Sequence, residues 1–234
     1  MNRTITAPLP GTTIDPRYPD SDGRFMGDTD YHNIAMIDIR EGLEDHFADE
    51  PDVYIASNLI VYYEEGNPSA RRDPDVLVAK GVGKHRRRSF RVWEEKTVPR
   101  VHFEVASRKT WRQDIDDKRW LYARIRVQEY FIFDPEDKYL DPPLQGFRTV
   151  RGKSVPMTPE ADGSLVSNEP GLRLVPDGSR LKLIDLKTGL PILTRSERAD
   201  LEAARADREK ARADQLAAEN ERLKQQLAQR KSSQ

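Results

Sequence analysis

The sequence predicts an α/β fold with a mixed central sheet, and three observations carry that prediction. The runs DPDVLVAK (Asp73 to Lys80), RVHFEVAS (Arg100 to Ser107) and EYFIFDP (Glu129 to Pro135) are short, rich in β-branched and aromatic residues, and end in turn residues, as buried strands do. Between the second and third lies DIDDKRWLY (Asp114 to Tyr122), which has a helical pattern. A further helical pattern, HNIAMIDIREGLEDHF, precedes them, and several short strand-like segments follow.

Composition limits the functional classes. The 234 residues leave room for one ordinary domain and an appendage. Charged residues make up 34% of the chain, but their signs nearly cancel to a formal net charge of -1, so any affinity for a polyanion must be local. There are no cysteines, which excludes disulfides and thiolate metal sites. The stretch MNRTITAPLPGTTIDPRYPDSDG has no apolar core of signal-peptide length, and no run is long enough to span a bilayer. The expectation is a soluble, cytoplasmic protein without a membrane partner.

Taken in order, residues 1–27 are rich in Pro, Gly, Thr and Asp and form an arm, ordered where it lies on the body. Ile34, Ile37, Ile39, Leu43 and Phe47 recur near helical spacing, which predicts a helix from about His32 to Phe47 with Asp28 to Asp30 as candidate caps. VYIASNLIVYYEEGNP then reads as one or two strands feeding a turn at Glu65 to Pro68. From Lys80 to Arg100 eight Lys or Arg face two Glu, with Phe90 and Trp93 interleaved. This stretch is either a solvated loop or, if it borders an active site, a DNA-binding surface in which Lys84, Arg86, Arg87, Arg88 and Arg91 hold phosphates.

Thr110 to Arg124 is helical by pattern, with Ile115, Leu121 and Tyr122 as buried positions and Ser107 or Thr110 as a cap. From Tyr139 to Leu193 the segments LQGFRTV, LRLVP, LKLIDL and PILT alternate with Asp-Gly and Thr-Gly pairs, which predicts a β-hairpin extension of the sheet. Beyond it the composition turns to Ala, Glu, Arg, Lys, Gln and Leu without Gly or Pro, a long terminal helix. Ala206, Ala213, Asn220 and Leu227 share one heptad position and Leu216 and Leu223 another, so a short coiled coil and a solitary charged helix are both open. The expected organisation is an arm (1–27), a central domain (28–194) and a charged helix (195–234).

Two carboxylates stand where core strands disfavour them: Asp75 opens VLVA, and Glu104 lies between Phe103 and Val105. An ionised carboxylate inside an apolar strand costs several kcal/mol (~3 or more) unless it is paired or holds a metal. Asp75 reads either as a strand-start residue paired with Arg71 or Arg72, or as a cation ligand; Glu104 mid-strand favours the second reading. With the carbonyl of Val105 they offer a set of oxygen ligands suited to Mg²⁺, with Mn²⁺ as a substitute. Lys118, one turn after Asp114, is a candidate cation beside a scissile phosphate, or a solvated helix residue. His32 reads as a helix-start residue, His102 as the outward side of its strand, and Ser107 as a cap rather than a nucleophile.

The succession Pro74-Asp75, Glu104-Val-x-Ser107, Asp114-x-x-x-Lys118, Tyr122 and Glu129-Tyr130-Phe-x-Phe-Asp134-Pro135 resembles the Uma-two family of endonucleases, within the PD-(D/E)XK superfamily. The resemblance covers about Asp28 to Leu193. It implies a restriction-endonuclease-like core, a Mg²⁺-dependent DNA endonuclease activity with Asp75, Glu104 and Lys118 as catalytic residues, and a homodimer, with the C-terminal helix as one route to it. In the superfamily pattern a lysine follows the second acid by two residues; here that place holds Ala106, and Lys118 resembles the migrated lysine of some members. Ala106 keeps open a catalytically inactive DNA-binding or scaffold protein of the same fold. An acid from the first helix, Glu41 or Glu44, is a further candidate ligand.

Overall fold

Ala35, Ile39 and Leu43 recur on one side of the first helix, α1 (Asp30–His46), and are fully buried against a β-sheet. The computed structural model describes residues 8–21 and 29–232, in two units, Met1–Ile192 and Leu193–Gln234. The helix begins at Asp30 because Thr29 is its cap, the Thr29 hydroxyl accepting the His32 N–H at 3.3 Å. Of the acidic caps expected from the sequence, Asp30 is the first helical residue and Asp28 lies outside the described residues.

The strands that follow are β1 (Val53–Ser57), β2 (Val61–Tyr62), β3 (Arg71–Arg72), β4 (Val76–Lys80) and β5 (Phe90–Arg91), with a one-turn helix α2 (Val92–Glu95) inside the stretch read as a loop. Next come β6 (Val101–Val105), a helical segment, and β7 (Glu129–Phe133). The helical segment has three parts: α3 (Trp111–Gln113), a π-helical turn (Asp114–Lys118) and α4 (Arg119–Arg124). Neither Ser107 nor Thr110 caps it by a side-chain bond to the backbone; the two hydroxyls bond each other at 3.0 Å. The hairpin region forms β8 (Leu144–Val150), β9 (Lys153–Pro156), β10 (Leu165–Ser167), β11 (Leu172–Asp177), β12 (Arg180–Asp185) and β13 (Pro191–Ile192).

The main sheet is mixed, as expected, in the order β1-β4-β6-β7-β8-β9, with β6 and β7 parallel and the other pairs antiparallel. A parallel pair needs a crossover, and the helical segment from Trp111 to Arg124 supplies it. One face of the sheet packs on α1 and on a second sheet, β10-β11-β12-β13, through Val76, Val78, Val101, Phe103, Val105, Phe131, Leu174 and Leu183. The opposite face carries Ala106, Tyr130 and Ile132 against Tyr122 of α4. Each fully buried aliphatic or aromatic side chain here is worth about 1.5–3 kcal/mol, so the sheet is fixed from both sides and its strand ends are held in register. Both faces of β6 are therefore covered, and His102, expected to face outward, is wholly buried with its ring edge-on to Tyr122 at 4.4 Å between centroids.

The second unit is α5 (Arg195–Ser232). Thr194 and Glu197 cap it reciprocally: the Glu197 carboxylate accepts the Thr194 N–H at 2.8 Å, and the Thr194 hydroxyl accepts the Glu197 N–H at 3.2 Å. Among the described residues no helix is long and apolar enough to cross a membrane.

Candidate active site

The antiparallel register of β4 and β6 pairs Val76 with Phe103, so the residues one step beyond, Asp75 and Glu104, stand opposite each other. One residue before β4 begins, the Asp75 carboxylate serves as acceptor for the next N–H of β6: Oδ2 receives the Val105 N–H at 2.6 Å. The same oxygen lies 3.3 Å from Nε2 of His32, which reaches it from the first turn of α1. Arg71 and Arg72 do not pair with Asp75; Arg71 donates to the Tyr62 hydroxyl and Arg72 to the Arg71 carbonyl.

Glu104 is buried to 2% exposure, and each of its oxygens has a partner. Oε1 accepts the Tyr122 hydroxyl at 2.9 Å, and Oε2 lies 2.8 Å from Nζ of Lys118. The same ammonium lies 2.9 Å from Oδ1 of Asp114, itself fully buried. The π-helical turn widens the helix at this point, and both its ends, Asp114 and Lys118, point inward. Tyr130 of β7 donates to the Asp114 carbonyl at 3.0 Å and ties this turn to the sheet.

Two carboxylates thus hold one ammonium, and Asp75 is near enough to add its charge. Burial raises the pKa of Glu104 well above the usual carboxylate value against the pull of Lys118, and the neighbouring Asp75 and Asp114 add to the rise. Asp114 is raised in the same way, first by burial. Burial opposes the charge on Lys118, but Glu104 and Asp114 together outweigh it and hold its pKa above the ordinary lysine value. The cluster keeps its lysine protonated, and the raised pKa values of Glu104 and Asp114 express the cost of crowding carboxylates in a low-dielectric pocket, a cost that a divalent cation would relieve. Among the described residues no three His, Asp and Glu side chains form a ready-made metal cage. The donor set still fits Mg²⁺, which takes few protein oxygens and keeps several waters: Asp75 beside β4, and Glu104 and the Val105 carbonyl on β6, are hard oxygen donors at neighbouring strand ends.

Of these residues His32, Asp75, Glu104 and Lys118 open on a cleft of about 420 Å³, walled by Arg71, Arg72, Asp73, Ser107, Thr110 and Gln113. Sequence reasoning named Asp75, Glu104 and Lys118, and the structure brings those three together. It missed His32, Asp114 as a partner of Lys118, and the two arginines of the cleft wall. Glu41 and Glu44 do not line the cleft, and Glu44 pairs with Arg40 at 2.9 Å.

The five loop cations also lie elsewhere, since none of them lines the cleft. Arg87 is buried against Glu95 at 2.6 Å, and Arg91 against Glu94 at 2.9 Å with a further bond to the Thr13 carbonyl. Lys84 donates to the Phe47 and Ala48 carbonyls beyond the end of α1, and Arg88 pairs with Asp20 of the arm. Arg86 is exposed. A count of charge along the loop could not show that most of it is spent on internal partners.

A mixed sheet covered on both faces, with Asp75 and Glu104 at neighbouring strand ends and Lys118 reaching them from the crossover helix, agrees with the restriction-endonuclease-like core expected from the sequence. Residues 9–176 match the model of the Uma2 family, described as "Putative restriction endonuclease", and the chain belongs to that family. No curated protein matches the chain. Five solved chains do. One of them, a crystal structure of "a putative nuclease belonging to DUF820" from Anabaena variabilis ATCC 29413, is 11% identical with a TM-score of 0.47, covering 64% of this chain and 80% of that one.

Proposed function

We propose that the protein is a Mg²⁺-dependent DNA endonuclease, and the observation that carries this reading is the meeting of Asp75, Glu104 and Lys118 in one cleft. Hydrolysis of a phosphodiester needs positive charge where the phosphorane builds negative charge, a positioned water, and a means of holding the phosphate. The Lys118 ammonium is fixed on two carboxylates and cannot swing away, so its charge is preorganised. Tyr122 fixes the far oxygen of Glu104, and the Val105 N–H with His32 fixes Asp75. Asp75, Glu104 and the Val105 carbonyl would hold Mg²⁺ or Mn²⁺, which when bound activates water and neutralises phosphate charge. Arg71 and Arg72, which line the cleft, would hold the flanking phosphates of DNA.

The test is nicking of supercoiled plasmid with Mg²⁺, with Mn²⁺, and with EDTA. We expect metal-dependent nicking that falls by at least ~100-fold in Glu104→Gln and in Lys118→Met, with both variants folded by circular dichroism. Equal activity in wild type and variants sinks the reading. Ala106 favours the second reading, a catalytically inactive DNA-binding or scaffold protein: its methyl group is buried beside Tyr122 and carries no charge to the site. Calorimetric binding of Mn²⁺ without any nicking by wild type would support that alternative. Self-association through α5 belongs to either reading.

A further inference from the structure

β1 is the outer strand of the six-stranded sheet. Its ladder with β4 pairs Tyr54 with Ala79 and Ala56 with Leu77, and it continues at both ends through Gly81 N–H to the Asp52 carbonyl (2.8 Å) and Asn58 N–H to the Asp75 carbonyl (3.2 Å). Residues of an antiparallel strand alternate between bonding inward and pointing outward. The N–H and C=O groups of Ile55 and Ser57 therefore point away from the sheet, and no group among the described residues hydrogen-bonds to them. An open edge of this kind is a template for another strand unless something blocks it.

This edge is not flat and exposed but forms the floor of a groove of about 530 Å³ between α1 and the basic loop. Arg40 and Glu44 stand on the helix side as an ion pair; on the loop side Arg87 is neutralised by Glu95, and Lys84 and Arg86 have no carboxylate partner among the described residues, so the groove keeps a net positive charge on that wall. Arg87 stacks on the Tyr54 ring at 4.2 Å, which stiffens the loop wall. Arg86 is exposed and makes no hydrogen bond or ion pair to the described residues.

We propose that this groove receives an extended acidic segment of a partner protein, which adds to β1 as a seventh strand. The floor offers alternating donors and acceptors, which match a peptide backbone; a phosphodiester chain can only accept. The walls favour carboxylates. A second copy of this chain is the wrong occupant, because pairing β1 with itself about a two-fold axis sets the positive loop walls, with Lys84 and Arg86, against one another. Five residues of β1 span about 17 Å, enough to pair a short linear segment of four to six residues.

The test uses the full chain and two fluorescent probes, a dodecapeptide of alternating Glu and Val and a single-stranded DNA dodecamer, with EDTA present so that nothing is cleaved. The peptide should bind, should slow amide exchange at Ile55 and Ser57, and should bind roughly fivefold to tenfold more weakly to Arg86→Glu. Its alternately N-methylated form should lose binding. Failure of the peptide to bind, or binding without protection of those two amides, overturns the proposal, as does protection by the DNA dodecamer alone. Because Arg86 and β1 lie outside the cleft, none of these results depends on whether the protein nicks DNA.

Discussion

Glu104 accepts a hydroxyl on one oxygen and an ammonium on the other, so its orientation is fixed before any substrate arrives. That is why Glu104 was legible in the sequence: a carboxylate between Phe103 and Val105 has to be explained by partners, and few partners are as stable as a buried lysine. Lys118 and Asp114 were legible as one helical turn apart. His32 was not, because its partner is distant in sequence and a histidine at a buried helix position carries no mark of what it meets. His102 was misread for a different reason. Alternation along VHFEV assigns alternate residues to solvent only when one face of the sheet is open, and here both are covered. The environment of His102 gives a pH prediction. Burial, with the nearby charge of Lys118, lowers its pKa to about 3. The folded pKa lies below the unfolded one, so the stability it contributes is complete above pH ~6.5 and is lost as pH falls from there toward 3. In metal-free protein the loss should approach ~1.4 kcal/mol per pH unit across that window. Urea unfolding at a series of pH values checks it: His102→Leu should flatten the slope, and an unchanged slope would assign the acid sensitivity to other groups.

At the scale of elements, the buried strands of the main sheet were legible because each is a short apolar run with its own turn residues; β9, Lys-Ser-Val-Pro at the edge and largely exposed, was not. The π-helical turn was not, since Thr110 to Arg124 has the apolar spacing of an ordinary helix, and the widening answers to a tertiary demand that Lys118 reach Glu104 while Asp114 turns inward to meet Lys118. The second sheet was legible as hairpins but not as a layer, because nothing in LRLVP or LKLIDL says what it will cover. Gly146 in the middle of β8 marks how closely that layer approaches. A Cβ added there would lie 2.7 Å from Leu165 Cδ1 and 3.0 Å from both Met157 Sδ and Phe131 Cδ1. These neighbours come from three elements or their connections, so one shift does not relieve all of them. Gly146→Ala should cost about 1–3 kcal/mol as an overpacked core position, read from the midpoint of chemical unfolding. A neutral or stabilising change would mean that β10 stands off from β8 in solution.

At the scale of the whole molecule, the change of composition after Leu193 was legible because a run without Gly or Pro, dense in Ala, Glu and Arg, has few structures open to it, and α5 is the helix that results. What a sequence of this kind does not declare is its partner. Leu201, Leu216 and Leu223 are about half exposed on α5, and the side chain of Leu227 lies outside the described residues. An isolated, highly charged helix is marginal in water unless it buries a stripe. Salt bridges such as Arg205 to Glu209, at 3.0 Å and well exposed, add only ~0.3–0.5 kcal/mol each. The capping box at Thr194 and Glu197 starts the helix but cannot hold its far end, so its order should come from association. Leu216 and Leu223 are one heptad apart and are the described residues best placed to form a seam. Replacing both with Asp in the full chain should therefore convert a dimer to a monomer in sedimentation velocity and reduce the helical circular dichroism signal. The thermal transition of the body, which has its own core, should stay within about 1–2 °C, since surface substitutions away from a core change its stability little. If the wild-type chain already sediments as a monomer with full helicity, pairing through α5 is wrong. If the doubly substituted chain stays dimeric, the contact lies elsewhere.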